Sequence, residues 1–107
     1  MTNDQLNRLV QTRTERIEEM LTAKAEEYAR GDRLSNFKEA AVQLHCTPEK
    51  ALLSFVTKHW IALGYFVEDL ENGKVQTEER WYEKIGDIIN YMILLEALAV
   101  ERKGTEV

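Results

Sequence analysis

Glu83-Lys84-Ile85-Gly86-Asp87-Ile88-Ile89-Asn90-Tyr91 sets two carboxylates and a carboxamide on one face of the most apolar helix in the chain. At 100° per residue, Glu83, Asp87 and Asn90 fall within about 60° of each other, and Ile85, Ile88, Ile89, Met92, Ile93 and Leu95 fill the remaining circumference. Burying an unpaired carboxylate costs several kcal/mol, so acids in such a setting need a partner. A divalent cation suits acceptor-only oxygens well. The competing reading is an ordinary solvated stripe, since acids four residues apart are common on exposed helix faces. From Trp81 to Val100, however, apolar residues point in nearly every direction, which predicts a helix buried among several neighbours or across a subunit interface, and more buried than the other three. A polar wedge in that helix is expected to face a shared cleft.

Working outward from this helix, the pattern predicts an all-α chain of four helical segments forming one domain over residues 1–107. The first runs from about Asp4 to Ala29, capped by Thr2 or Asn3 and stopped by Gly31; Leu6, Val10, Arg13, Ile17, Met20 or Leu21, Lys24 and Tyr28 recur three and four apart. A short second helix, entered through Ser35 or Asn36, carries Phe37, Ala40, Ala41 and Leu44 on one face. Thr47-Pro48 is a start signal, a capping hydroxyl followed by proline at the first helical position. The third helix then extends to about Leu70 with Leu52, Phe55, Val56, His59, Leu63, Phe66 and Leu70 as its core stripe. Asn72-Gly73 ends it, a loop is preferred over a small hairpin up to the cap at Thr77, and the fourth helix continues to about Lys103.

Composition narrows the classes of function. The net charge is −5, with basic residues scattered, which argues against double-stranded nucleic acid as a partner. No apolar run reaches the roughly 18 residues needed to span a bilayer, and the first residues lack the pattern of a signal peptide, so no membrane partner and a cytoplasmic location are expected. Cys46 is the sole cysteine, which excludes an intrachain disulfide and a Cys-rich zinc site. Its neighbour His45 points elsewhere as adjacent residues do, and no third group orients a Cys-His nucleophile. The shortness of the chain, with one helix apolar on most sides, points to a homodimer or homotetramer.

Each remaining polar cluster has a bland explanation of its own. Lys24 and Glu27 form an i,i+3 pair, Asp32 and Asn36 fit turn and cap positions, and Lys58 can snorkel from the face of Phe55, Ala62 and Tyr65. His59 lies on the apolar stripe and reads as a satisfied core histidine.

In order along the chain the clusters carry more. Lys24-x-x-Glu27-Tyr28, Asp32-x-x-x-Asn36-Phe37-Lys38, Thr47-Pro48, Lys58 and Glu83-x-x-x-Asp87-x-x-Asn90-Tyr91 together resemble the small phage-type relatives of the MazG-like all-α nucleotide pyrophosphohydrolases, including nucleotide-modification-associated domains. The resemblance covers roughly Ala23 to Leu98. It implies a four-helix MazG-like bundle completed by oligomerisation, in the cytoplasm of a host cell if phage-encoded. It also implies Mg²⁺, replaceable by Mn²⁺, and hydrolysis of (deoxy)nucleoside triphosphates to monophosphate and pyrophosphate. Carried over by position, Glu27, Glu83 and Asp87 stand at the metal-binding and catalytic acids; Lys24, Lys58, Asn90, Asp32, Asn36 and Tyr91 stand at substrate-binding positions. Two positions depart from the pattern of larger relatives: Arg30 and Lys84 stand where further acids are expected. Fewer acids hold fewer ions, so a nucleotide-sequestering protein or a partner-binding adaptor on the same fold is the alternative to the enzyme.

Overall fold

Capping chemistry marks where the helices begin. In the computed structural model, which describes residues 1–27 and 31–104 and only the backbone of 24–27, the Thr2 N–H donates to Gln5 Oε1 (2.7 Å) and the Gln5 N–H donates to Thr2 Oγ1 (3.1 Å). This reciprocal capping box opens α1, Asn3–Glu27, and settles the choice of cap on Thr2. Thr47 and Thr77 do the same for α3 (Pro48–Glu71) and α4 (Glu78–Arg102), their hydroxyls accepting from Lys50 N and Arg80 N at 3.2 Å each. Each cap satisfies one of the N–H groups that a helix start leaves without a carbonyl. α2, Ser35–Leu44, departs from expectation: its cap position falls on Leu34, which makes no side-chain capping bond and is instead buried in the core. Apolar burial at this entry replaces the polar cap foreseen at Ser35 or Asn36.

Turns close the other ends. Gly73, at φ +80°, follows the α3 cap residue Asn72 in a left-handed conformation that a side chain would strain. The segment up to Thr77 is a loop, stitched by Gln76 Nε2 donating to Asp69 Oδ2 (2.8 Å) and Arg80 Nη1 donating to Gln76 Oε1 (2.8 Å). All regular structure among the described residues is helical, as expected, and no helix there is long and apolar enough to cross a membrane.

The chain divides into two compact units, Met1–Arg33 and Leu34–Val107. The first contains α1. Leu6, Leu9 and Val10 are exposed on it, while Arg13, Ile17, Met20 and Leu21 are half-buried.

In the second unit α3 is central and packs against both α2 and α4. The α3–α4 pair is antiparallel. Phe66 near the end of α3 meets Trp81 near the start of α4 edge to face (ring centroids 5.3 Å), and Glu49 at the start of α3 meets Arg102 at the end of α4. The core consists of Leu34, Phe37, Leu52, Val56 and Leu98, with Phe55, Tyr91, Leu94 and Leu95 packed around it. Phe37 and Leu52 are the largest fully enclosed side chains. Truncating such a residue removes both its transfer free energy and the contacts around it, about 2–5 kcal/mol for Leu→Ala.

The burial pattern corrects two expectations. α3 holds four buried residues, Ala51, Leu52, Val56 and Phe66, whereas α4 holds one, Leu98, so α4 is not the most buried helix of the single chain. α4 has α3 on one side and only the tips of α2 side chains on another, leaving Met92 and Ile93 exposed. On α3, Leu52, Val56 and Phe66 of the expected stripe are buried and Phe55, His59 and Leu63 half-buried, but Leu70 is exposed. A second apolar stripe of α3, Leu53, Trp60, Ile61 and Val67, faces solvent around Gly64, with Trp60 64% exposed.

Candidate functional site at the α3–α4 seam

Midway along the antiparallel pair, polar groups from both helices meet. His59 enters from α3, at a position where its neighbours on the same face, Leu52, Val56 and Phe66, are buried. Its ring lies 5.5 Å from that of Tyr91 on α4, and Tyr91 in turn meets Phe37 of α2 edge to face at 6.5 Å. These contacts hold the imidazole with only 14% of its side chain exposed.

Two charged groups of α4 converge on one nitrogen of that ring. Lys84 Nζ lies 3.2 Å from His59 Nδ1, and Asp87 Oδ2 lies 3.6 Å from the same atom. An ammonium only donates, so a contact with Lys84 uses the ring lone pair. A bond to Asp87 instead requires a proton on Nδ1. One nitrogen serves one of these partners at a time, and the cluster holds a cation and an anion around a single switchable acceptor.

Asp87 is 37% exposed, half in the seam and half toward solvent. Glu83, one turn earlier on the same face, is exposed. One turn later Asn90 presents a buried Oδ1 that has no hydrogen-bond partner among the described residues, and Asn36 on α2 has a second such oxygen. A buried acceptor left unpaired costs about 1–3 kcal/mol. Both oxygens are therefore poised for a donor or a cation from outside the described groups.

The residues singled out from the sequence are thus distributed unevenly. The seam brings together Asp87, Asn90 and Tyr91, with Glu83 at its outer edge. Asn36 sits beside Phe37, whose ring reaches Tyr91. Lys58 precedes His59 on α3 but is exposed, about 100° around the helix from it. Asp32 is half-buried in the Met1–Arg33 unit. Lys24 and Glu27 lie on the last turn of α1, and their side chains, like all of Tyr28 and Arg30, lie outside the described residues.

Among the described residues no group of three or more His, Cys, Asp or Glu side chains is arranged to hold a metal ion. The donor chemistry along the Glu83, Asp87 and Asn90 face is nevertheless all oxygen, and the Asn90 acceptor lacks a partner there, which fits a hard cation such as Mg²⁺.

His59, read from the sequence as a satisfied core histidine, is largely buried and partnered; what the sequence did not show is that its partners are Lys84 and Asp87 of α4. The available signal was complementarity: α3 and α4 each interrupt an apolar stripe with a polar residue, and two such interruptions on neighbouring helices are expected to face each other.

The end of the same helix pair where α3 starts and α4 finishes is built differently. Arg102 Nε and Nη2 donate to Glu49 Oε1 and Oε2, both at 2.7 Å, a bidentate fork. That fork, foremost its side-chain hydrogen bonds, holds the Glu49 carboxyl at about 2, below the ordinary 4.5. Lys38 of α2 pairs with Glu101 beside it. Searches with this chain found no matching family model, curated protein or solved structure.

Proposed function

We propose that this chain is a Mg²⁺-dependent nucleoside triphosphate pyrophosphohydrolase of MazG-like architecture, acting on (deoxy)nucleotides. The observation that supports this most directly is the α4 face itself: Asp87 half-buried in the seam, Glu83 one turn before it, and the unpaired Asn90 oxygen one turn after. Glu83 and Asp87 are the residues that would hold the ion, with Glu27 as a third acid carried from the family pattern alone. Bound there, Mg²⁺ supplies charge neutralisation on the phosphoryl oxygens.

The chain's own groups do the rest. The reaction consumes one water: its oxygen bonds to phosphorus, the phosphoanhydride bond breaks, and pyrophosphate leaves from the monophosphate. A carboxylate oxygen of Glu83 or Asp87 that is free of the ion accepts the proton of the water. Lys24 and Lys58 are proposed as phosphate contacts, Asp32 and Asn36 as the polar closure of the site, and Tyr91 as the apolar wall against the base, with Phe37 packed behind it. The exposed Leu53, Trp60, Ile61 and Val67 stripe supports a homodimer or homotetramer, because a second copy would cover it. A cytoplasmic location, that of the host cell if the chain is phage-encoded, is part of the same proposal, as is the absence of double-stranded nucleic-acid and membrane partners.

Lys84 in place of an expected acid favours a second reading on the same fold, in which nucleotide is bound and not turned over. A third reading, a partner-binding adaptor, needs no nucleotide at all. Incubating the full chain with Mg²⁺ and each common deoxynucleoside triphosphate separates them. Release of pyrophosphate with the matching monophosphate is the expected result. Tight binding with no release moves the assignment to sequestration, and no binding leaves the adaptor. If the acids work as one unit, losing any one of Glu27, Glu83 and Asp87 costs nearly as much activity as losing two. Additive losses contradict that.

A further inference from the structure

We propose that Lys84 is a phosphate-contacting cation of this site and that His59 is the positioning residue that holds it there. The inference rests on the phosphoanhydride reading above and changes the significance of Lys84: the residue that replaces an expected acid becomes the anion-binding element.

Three observations carry it. First, the described partner of the Lys84 ammonium is a ring nitrogen, at 3.2 Å, and not a carboxylate. An accepting imidazole nitrogen brings no negative charge, so this contact does not itself neutralise the ammonium. Lys38 and Arg102, by contrast, are already matched by Glu101 and Glu49. Second, the anchor is rigid: His59 is largely buried and packed on Tyr91, so the long lysine stem is ordered before a ligand arrives. Pre-ordering removes part of the rotamer entropy that a free lysine loses on binding. Third, Asp87 Oδ2 lies 3.6 Å from the same nitrogen, so a cation-seeking and an anion-seeking group stand side by side. A phosphate chain carrying a divalent cation has the complementary pair of charges.

Lys58 lacks these features. It is exposed, and it leaves α3 about 100° away from the face that carries His59.

The test is calorimetric titration of pyrophosphate, and of a non-hydrolysable deoxynucleoside triphosphate, into the full chain with Mg²⁺ present. Lys84→Gln is expected to weaken both ligands by at least about tenfold, the scale of one lost charge-assisted contact, and Lys50→Ala, at an exposed lysine in the first turn of α3, by less than about twofold. Lys84→Met, which keeps the aliphatic stem, gives the same loss and guards against a packing artefact; circular dichroism verifies that both stay helical. His59→Gln, whose carboxamide oxygen can still accept from the ammonium, retains more affinity than His59→Leu. Wild-type affinity in Lys84→Gln, or an equal loss in Lys50→Ala, overturns the assignment of Lys84 while leaving the pyrophosphohydrolase reading intact. If the wild-type chain binds neither ligand, both fall together.

Discussion

One end and the middle of the α3–α4 pair carry similar residues and put them to opposite uses. At the Glu49–Arg102 end, fork meets carboxylate with both oxygens satisfied, and the neighbouring Lys38–Glu101 pair closes α2 onto α4. Around His59, midway along the pair, one nitrogen stands between an ammonium and a carboxylate, and a buried carboxamide oxygen has no partner among the described residues. The first arrangement has little left to offer a ligand. The second is incomplete in a way that folding alone does not repair, and incompleteness of this kind is what a binding site looks like before its ligand arrives.

The largest expected effect breaks the comparison by removing what both regions hang on. Leu52 is fully buried between the helices, and Leu52→Ala should lower the unfolding free energy by about 2–5 kcal/mol in a denaturant titration. A loss well under 1 kcal/mol would mean that the core tolerates collapse there and that neither region depends on this packing.

Asp87→Asn sharpens the comparison from the open middle. It keeps the shape and removes the charge, so the rise in melting temperature with Mg²⁺ should disappear and pyrophosphate release should fall by about a hundredfold, with helicity unchanged. A variant that keeps the full metal response places the ion elsewhere.

The smallest effect belongs to the closed end, because an exposed ion pair contributes little to stability. Its sign follows from the Glu49 carboxyl, which the Arg102 fork holds at about 2 against an ordinary 4.5. As acid is added, the unfolded chain takes up this proton first. The contribution is therefore complete above about pH 4.5 and lost as the pH falls toward 2. Glu49→Gln should remove that part of the acid limb from a stability-against-pH curve, and an unchanged limb would show that the fork has no energetic role in solution. Under the proposed function no corresponding change in nucleotide turnover is expected from this variant, since Glu49 lies at the start of α3, away from Asp87.

What could be read from the chain in advance was what is local. Thr47 with Pro48, and Thr77, announce their helices because a cap needs only the next three residues, and both make the bonds their positions require. Leu34 could not be read that way: a cap position without a capping side chain is paid for by burial, which depends on Leu52, Val56 and Leu98 arriving from elsewhere. The apolar circumference of α4 likewise records how many neighbours a helix can accept, not how many one chain supplies. In the site, Asp87 and Asn90 were legible as polar breaks in an apolar helix. The role of His59 was not, because its meaning comes from α4, and the pairing of two helices is a tertiary fact.

Trp60 gives the chain an optical reporter. Of the two tryptophans, Trp81 is packed edge to face on Phe66, while Trp60 stands 64% exposed on the solvent face of α3. Its indole should emit at long wavelength and be open to a dissolved quencher, with Trp81 contributing a shielded, bluer component. Any surface that settles on the stripe around Gly64 would shift the first component and spare the second, so the protein signals its own association by colour without a label.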